Sequence, residues 1–337
     1  MEPMAPLPPA SLARSAVHRN HRDRGTDGTL ADVLARRTTR VVLAHRGTVL
    51  TARGHLVRFT VDDLDGLDLL PEDPATGPTR VYLGRAEDGT DYVGLDLDDA
   101  ARSRVDTRLA GDLDTDAEPQ LDDPATGVDV AVPAWIHLRD VGLAFDDLDV
   151  GLACEIVALG NWHRAHTRSP RNGAPTVPAA GGWVRTDPET GSEHFPRTDP
   201  AVIMAVVHTD AEGTERILLG NNALWPDDRY SLLAGFVEPG ETLERAVIRE
   251  VHEETGVLAT DPRYLGSQPW PFPCSLMLGF VARTADMTTD PDLEEISHVR
   301  WFTREELRAE QEARTVWTPG TVSIAGQILH AWLDGEA

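Results

Sequence analysis

The spacing of glycines and charged residues between Gly235 and Val257 constrains this chain more than any other sequence feature. The segment reads GFVEPGETLERAVIREVHEETGV. Its Pro-Gly pair marks a turn. From Thr242 onward the residues favour a helix, which Gly256 would end after the last turn. The sequence therefore predicts a loop followed by a short helix.

Two faces of this helix carry different residues. The apolar positions fall at helical spacing and can bury one stripe: Leu243, Ala246, Val247 and Val251. Glu250, Glu253 and Glu254 are three and four residues apart, so their carboxylates share another face. Like charges at that spacing destabilise a helix by a few tenths of a kcal/mol per pair, and hard cations such as Mg²⁺ or Mn²⁺ would offset the repulsion. A solvated acidic face is the ordinary alternative for an isolated stretch of this kind.

The complete pattern favours the metal-binding interpretation. It reads G-x5-E-x7-R-E-x2-E-E-x-G, with the fixed positions Gly235, Glu241, Arg249, Glu250, Glu253, Glu254 and Gly256. This pattern resembles the signature of the Nudix hydrolases. The resemblance implies an α/β fold, an α/β/α sandwich around a mixed sheet. Gly235, Glu241, Arg249 and Gly256 would be its structural positions, with Arg249 pairing with Glu241.

A second motif, SQPWPFPCS, follows at residues 267–275. Its prolines fix a stiff extended segment that is neither helix nor central strand. It is similar to the motif of the NADH pyrophosphatase branch of the Nudix family. That resemblance implies dinucleotide contacts, with an amide for hydrogen bonds and aromatic faces for stacking on bases. The implied residues are Gln268, Pro269, Trp270, Pro271, Phe272, Pro273, Cys274 and Ser275. Composition alone would favour a proline-rich surface loop with two core aromatics.

The resemblance extends over roughly the last 200 residues. The segments HFPRTDPAVI (194–203), LLAGF (232–236) and EISHVRWF (295–302) also match the branch. The implied metal ligands are the Ala234 carbonyl, Glu250, Glu254 and Glu295. Glu253 is implied as a further ligand or as the base that activates water.

Four further residues are implied to contact substrate. Ser323 falls where the family closes its pocket, and Arg139 matches a substrate-contacting arginine less securely. Phe195 and Phe236 fall at aromatic positions that could stack on a base, and a core role is equally open for each.

One part of the family pattern is missing. These pyrophosphatases usually carry a four-cysteine zinc ribbon, whereas the expected thiol positions here are Ser169, Asn172, Asp187 and Thr190. None of these side chains is a soft ligand for structural zinc. We therefore expect no zinc, and a ribbon remnant held by hydrophobic contacts and turns such as DPETG. Nearby histidines, which we interpret as ordinary surface or core residues, are His163, His166 and His194.

Composition bounds the class of protein. The chain has 337 residues, a formal charge of −25, no lysine and two cysteines. The missing basic surface argues mildly against RNA as the main substrate. Two cysteines imply no disulfide framework and make a reducing cytoplasm the default. Neither a signal peptide nor a membrane span is expected.

The pattern along the chain predicts four regions. Residues 1–28 are interpreted as a mobile tail, 29–150 as a β-rich domain with a strand meander, 151–198 as a linker helix and ribbon remnant, and 199–337 as the catalytic domain. Within the last, strands are predicted at 202–207 and 216–219 and a closing helix at 324–333. PEDPATG and LDDPATG are interpreted as two similar turns. The branch commonly forms homodimers.

The resemblance implies metal-dependent hydrolysis of the pyrophosphate in NADH or NAD⁺, which yields nicotinamide mononucleotide and AMP. Two or more Mg²⁺ or Mn²⁺ ions would neutralise the phosphates and lower the pKa of an attacking water. NAD-capped RNA is a further implied substrate. The alternatives are a broader hydrolase of ADP-ribose or dinucleoside polyphosphates, and a non-catalytic Nudix module that senses NAD.

Overall fold

The computed structural model describes residues 6–26, 28–73, 76–112 and 132–335. These residues form two compact units. One is built from residues 14–198, apart from the gaps, and 270–274; the other is built from residues 6–13, 199–269 and 275–335. The LDDPATG segment and part of PEDPATG lie outside the described residues, so the turns expected there are not assessed.

The first of these units carries a mixed six-stranded sheet and a three-stranded sheet. Its elements in chain order are α1 (His21–Arg24), α2 (Thr29–Leu34), β1 (Arg40–His45), β2 (Thr48–Ala52), β3 (His55–Leu56), β4 (Thr79–Arg85), β5 (Asp91–Asp96), α3 (Asp99–Asp112), β6 (Ala134–His137), α4 (Leu138–Val141), α5 (Asp147–Ala165), β7 (Val177–Ala179), β8 (Val184–Thr186) and β9 (Glu193–His194). The six-stranded order is β3-β2-β1-β5-β4, with β6 paired to β2, and the three-stranded order is β7-β8-β9.

The β-rich character of this region is confirmed, but its topology is not a simple meander. β1 runs parallel to β5, with Arg40 opposite Tyr92. Parallel neighbours require a crossover connection. That connection begins after β3 at one edge of the sheet and ends at β4 on the other edge. The alternating apolar pattern shows that strands form but does not show which strands pair.

Parts of residues 1–28, the segment predicted as a mobile tail, contact folded units. The backbone N–H of Leu7 donates to the Leu265 carbonyl at 2.9 Å. Ala10 and Leu12 are 2% and 1% exposed. Further along, the N–H of His18 donates to the Arg85 carbonyl at 2.9 Å. The apolar side chains of this polar segment bury against a folded unit, which a compositional argument does not capture.

The second unit contains the predicted catalytic fold. Its elements in chain order are β10 (Asp199–Thr209), β11 (Glu215–Asn222), β12 (Leu233–Phe236), α6 (Leu243–Thr255), β13 (Thr260–Trp270), β14 (Ser275–Thr284), β15 (Ile296–Phe302), α7 (Arg304–Glu312) and α8 (Ile324–Leu333). The strand order is β13-β14-β10-β11-β15, with β12 paired to β10. β10 is parallel to β14 and antiparallel to β11 and β12, so the sheet is mixed.

The sheet of this unit is covered on both faces. Alternate residues of β10 point to opposite sides. Val202, Met204 and Val206 join the core that contains α6. Ile203 and its alternating neighbours join the core that contains α8. This arrangement confirms the α/β/α sandwich, and the strands expected at 202–207 and 216–219 and the helix at 324–333 fall within β10, β11 and α8.

No helix in the described ranges has both the length and the apolar character required to cross a bilayer.

The α8 face of the sandwich depends on Trp332. Its side chain is fully buried, and its Nε1 donates to Glu215 Oε1 at 2.7 Å. We expect Trp332→Ala to lower the free energy of unfolding by about 3–5 kcal/mol, the usual cost of truncating a buried aromatic. Leu258→Ala, at a side chain that is 67% exposed, should change it by less than about 0.5 kcal/mol. Urea unfolding followed by circular dichroism measures both, and equal midpoints would contradict this packing role.

Candidate active site

Helix α6 places the acidic residues of the first motif. The hydroxyl of Thr242 accepts the N–H of Arg245 at 3.3 Å and caps the helix, and Gly256 ends it with a φ of 72°. A positive φ is the conformation for which glycine is favoured at a helix end. The apolar stripe is buried at Ala246, Val247 and Val251, while Leu243 is half-buried. Packing therefore fixes the rotation of the helix and with it the direction of its carboxylates.

Arg249 ties the loop before the helix to the helix itself. Its guanidinium donates to both carboxylate oxygens of Glu241, at 2.9 and 2.8 Å, and to the Phe236 carbonyl at 2.9 Å. It also lies 2.9 Å from Glu250 Oε1 and 3.0 Å from Glu253 Oε2. The hydrogen bond from Arg249 lowers the pKa of the Glu241 carboxyl, and these carboxylates raise the pKa of Arg249. One cation thus orders three carboxylates and a strand end.

The Glu250 carboxyl packs directly on Gly235. A Cβ atom at position 235 would lie 1.9 Å from Glu250 Cδ, a separation that no side chain can occupy. Gly235 lies in β12 beside Ala234, where it pairs with Val202 of β10. Burial raises the pKa of the Glu250 carboxyl, although the hydrogen bond from Arg249 opposes the rise. The first glycine of the motif therefore makes room for a carboxylate.

Glu254 is the most perturbed carboxyl group of this cluster. It is 5% exposed, and its Oε2 atom has no hydrogen-bond partner among the described residues. Burial, together with the charges of Glu250, Glu295 and Asp292, raises its pKa to about 8. A buried carboxylate without a partner is costly. A divalent cation at this oxygen would supply the missing partner, so the donor set fits a hard metal ion.

Glu295 reaches the cluster from the segment just before β15. The Oδ1 atom of Asp292 accepts the N–H groups of Glu294, Glu295 and Ile296 at 3.0, 3.1 and 3.0 Å. The Glu295 carbonyl accepts the N–H of Ala223 at 2.9 Å. Sequence reasoning did not identify Asp292, although an aspartate that caps the following N–H groups is a known turn signal. The structure brings Glu295 close enough to raise the pKa of Glu254.

Gln268 differs from its predicted role. Its side chain is fully buried. Its Oε1 accepts the N–H of Ile324 at 2.7 Å, and its Nε2 donates to the Val322 carbonyl at 2.8 Å. Both polar atoms of the amide therefore bind backbone rather than facing solvent. The amide anchors the chain around Ser323, whose hydroxyl accepts the Gly326 N–H at 3.2 Å and caps α8.

The aromatic part of the second motif lies against Arg139. The Trp270 and Phe272 rings meet edge to face at 5.2 Å. The guanidinium carbon of Arg139 lies 4.4 Å from the Phe272 ring centre and 5.3 Å from that of Trp270. Asn161 Nδ2 donates to the Pro271 carbonyl at 2.8 Å. Arg139 therefore contacts the aromatic residues of this motif. Arg139 and the motif are both predicted substrate contacts.

Phe195 and Phe236 are not core residues. Phe195 is 64% exposed and Phe236 is 59% exposed. The alternative that Phe195 or Phe236 packs in the core is therefore excluded. Exposed rings of this kind remain free to stack on a flat ligand.

Comparison with known proteins decides the family. The Nudix domain family model matches residues 198–319. The chain is 40% identical over 306 residues to the NAD-capped RNA hydrolase NudC of Mycobacterium bovis, covering 86% of this chain and 84% of that protein. The chain belongs to the Nudix hydrolases. Within that family it belongs to the NADH pyrophosphatase branch.

Two further comparisons give the range of similarity. The NAD-capped RNA hydrolase NUDT12 of Homo sapiens is 36% identical over 215 residues, which cover 60% of this chain and 44% of that protein. A solved Nudix hydrolase from Nitrosomonas europaea is 19% identical, with a TM-score of 0.38, over 50% of this chain and 90% of that one.

Three of the four positions expected for zinc-binding cysteines, Asn172, Asp187 and Thr190, are joined by hydrogen bonds. Asp187 is fully buried and accepts from Asn172 Nδ2 at 2.8 Å and from the Thr190 hydroxyl at 2.7 Å. It also accepts the Glu189 N–H at 2.9 Å, while Ser169 accepts the Arg171 N–H at 3.2 Å. The bonds from Thr190 and Asn172 hold the pKa of the Asp187 carboxyl at about 2. In this Nudix chain a carboxylate organises the turns of the ribbon remnant.

A second acidic group lies outside the Nudix motif. His55, Asp146 and Asp149 place one possible ligand atom each within 4.8 Å of one another. The buried Asp149 carboxylate already accepts hydrogen bonds from His55, the Leu56 N–H and Arg58. Asp146 accepts the Asp149 N–H and caps α5. These groups are satisfied by protein atoms, in contrast with Glu254.

The raised pKa of Glu254 predicts a pH dependence of stability. The unfolded carboxyl loses its proton near its ordinary pKa of 4.5, whereas the folded one keeps it up to about 8. Between pH 4.5 and about 8 the folded state therefore binds one proton more than the unfolded state. In the absence of metal, the free energy of unfolding should fall as pH rises through this range. Glu254→Gln should remove this slope, and Glu244→Gln on the same helix should keep it. Urea midpoints measured at several pH values in EDTA test this, and an unchanged slope in Glu254→Gln would contradict it.

Asp187 predicts a different response. Its lowered pKa means that the charged carboxylate stabilises the ribbon remnant above its ordinary pKa of 3.8, and that this contribution is lost as pH falls toward about 2. At neutral pH, Asp187→Ala leaves the donors of Asn172 and Thr190 without their acceptor. We expect trypsin to cut this variant at Arg171 or Arg185 several-fold faster than the wild type. The exposed neighbour variant Glu189→Ala should be cut at the wild-type rate, and equal rates for both variants would show that Asp187 does not organise the turns.

Proposed function

We propose that this chain hydrolyses the pyrophosphate bond of NADH and NAD⁺ to nicotinamide mononucleotide and AMP, and removes NAD caps from RNA. The observation that carries the proposal is the buried, unpartnered Oε2 of Glu254 beside Glu250 and Glu295. Such a group of carboxylates is built for divalent cations. The names of the relatives, which are NAD-capped RNA hydrolases at 40% and 36% identity, support the choice of substrate.

The residues that would hold the cations are Glu250, Glu254, Glu295 and the Ala234 carbonyl. When bound, Mg²⁺ or Mn²⁺ neutralises the charge of the two phosphates and lowers the pKa of a water molecule. Arg249 keeps the carboxylates in place, because it bonds Glu241, Glu250 and the Phe236 carbonyl together. We propose two or more ions for each site.

Glu253 is the proposed candidate for a further ligand or for the general base. Its side chain is 59% exposed, and its Oε2 lies 3.0 Å from Arg249 Nη1. The exposed position gives it access to water, while the arginine limits its orientation. A base must reach the proton that it removes before its pKa matters.

Exposed and cation-supported aromatic groups are the proposed dinucleotide contacts. Trp270 and Phe272 are supported by Arg139, and Phe195 and Phe236 present exposed rings. The remaining motif residues, Pro269, Pro271, Pro273, Cys274 and Ser275, would shape this surface. Ser323 would act through its cap on α8, and Gln268 would position it through two backbone hydrogen bonds.

Three further features belong to this proposal. The ribbon remnant needs no zinc, because Asp187 accepts the hydrogen bonds that order its turns. The enzyme acts in the cytoplasm, in keeping with its two cysteines, Cys154 and Cys274, which form no disulfide. It acts as a homodimer, as the branch resemblance implies.

The test follows AMP release from NADH with Mg²⁺ or Mn²⁺. We expect metal-dependent release, reduced by a factor on the order of 100 or more in Glu253→Gln and Glu254→Gln. Glu244→Gln, an exposed glutamate of the same helix, should retain wild-type activity. Turnover of ADP-ribose without turnover of NADH or NAD⁺ would refute the substrate. Binding of NADH without turnover of any of these compounds would indicate a sensor instead.

A further inference from the structure

An arginine contacts two tryptophan rings in the catalytic unit. The guanidinium carbon of Arg229 is 4.4 Å from the ring centre of Trp225 and 4.6 Å from that of Trp317. Its Nε atom is buried and has no hydrogen-bond partner among the described residues. We call Trp225, Arg229 and Trp317 the indole platform. A cation in contact with two indoles is held by their π faces.

The indole platform is rigidly attached to the sheet. The Trp317 N–H donates to the Asp228 carbonyl at 2.8 Å, and the Tyr230 N–H donates to the Trp317 carbonyl at 2.9 Å. The buried Asn221 side chain donates to the carbonyls of Pro226 and Arg229 at 2.7 Å each. The loop is therefore ordered in advance of binding, which reduces the entropy that a ligand must offset.

The same loop is joined to a proposed metal ligand. The Ala223 N–H donates to the Glu295 carbonyl at 2.9 Å, two residues before Trp225. Ser297, two residues after Glu295, donates to Asn221 Oδ1 at 2.5 Å. The loop that carries Trp225 and Arg229 is thus hydrogen-bonded to Glu295 and Ser297, the chain segment that also holds a proposed metal ligand.

Part of the indole platform is exposed. Trp317 is 51% exposed although the Arg229 guanidinium lies 4.6 Å from its ring centre, so a large part of the residue meets solvent. The neighbouring Leu224 is 93% exposed. Single-stranded nucleic acids bind to such surfaces by stacking their bases on aromatic and arginine groups.

The charge around the indole platform favours a base rather than a phosphate chain. Asp227 and Asp228 directly precede Arg229, and the whole chain carries a formal charge of −25. Long-range attraction of RNA phosphates is weak for such a protein. A neutral base can stack on Trp317 without opposing these charges.

The number of exposed rings separates the possible sources of that base. NADH offers two bases, and four aromatic side chains, Trp270, Phe272, Phe195 and Phe236, are already among the proposed dinucleotide contacts. We propose that the indole platform binds the base of the first nucleotide that follows the NAD unit in capped RNA. This inference rests on the proposed function, since it concerns the same reaction and its larger substrate.

The experiment compares two substrates for the same variants. Trp317→Ala should lower kcat/KM for a short NAD-capped oligoribonucleotide by about tenfold, the scale of one base stack, and leave kcat/KM for NADH unchanged. Trp317→Phe keeps an aromatic ring and should retain most of the activity on capped RNA. Tyr264→Ala removes an aromatic side chain of similar exposure, 52%, and should alter neither substrate. A capped substrate whose first nucleotide lacks a base should reproduce the loss with the wild type.

The outcomes are separable. Equal losses on NADH and capped RNA in Trp317→Ala would assign the indole platform to the dinucleotide or to the fold and overturn the proposal. An unchanged rate on capped RNA, or wild-type cleavage of NADH without cleavage of capped RNA, would overturn it while leaving NADH hydrolysis intact. Absence of NADH hydrolysis in the wild type would refute the proposed function, and this inference with it.

Discussion

The crowding of carboxylates around Glu254 is the constraint on which the catalytic unit depends. Burial and neighbouring acids raise the pKa of Glu254 to about 8. Placing this acid in the interior costs folding free energy, and the fold retains it nonetheless. Arg249 offsets part of the repulsion through Glu241, Glu250 and Glu253, but it does not reach the Oε2 of Glu254. A buried carboxylate oxygen without a hydrogen-bond partner is expected in a metal site before its ion is bound.

The sandwich places this cluster through a small number of contacts. α6 is oriented by its buried stripe, and β12 brings Gly235 so close that only hydrogen fits beside Glu250. Glu295 comes from the segment just before β15, the last strand in the sheet order. The Asp292 carboxylate accepts the N–H groups of that segment. Loop and helix positions far apart in sequence thereby bring Glu250 and Glu295 close enough to raise the pKa of Glu254.

Local spacing predicted the parts of the molecule that are set locally. The Glu241–Arg249 pair and the bounds of α8 follow from positions a few residues apart. Long-range features did not follow. The parallel pairing of β1 with β5, the burial of Leu12 and the use of Gln268 as a backbone anchor depend on partners that are remote in sequence. The resemblance indicated the importance of the second motif, but only the structure shows that one of its side chains faces inward.

A crystal structure of the protein soaked with Mn²⁺, with the ions located by their anomalous scattering, would show whether Glu254 is a metal ligand. We expect manganese within ligand distance of Glu254 Oε2, shared with Glu250 or Glu295. Manganese at His55, Asp146 and Asp149, with none at Glu254, would contradict it, because those groups already have protein partners and the unpartnered carboxylate would then have another purpose.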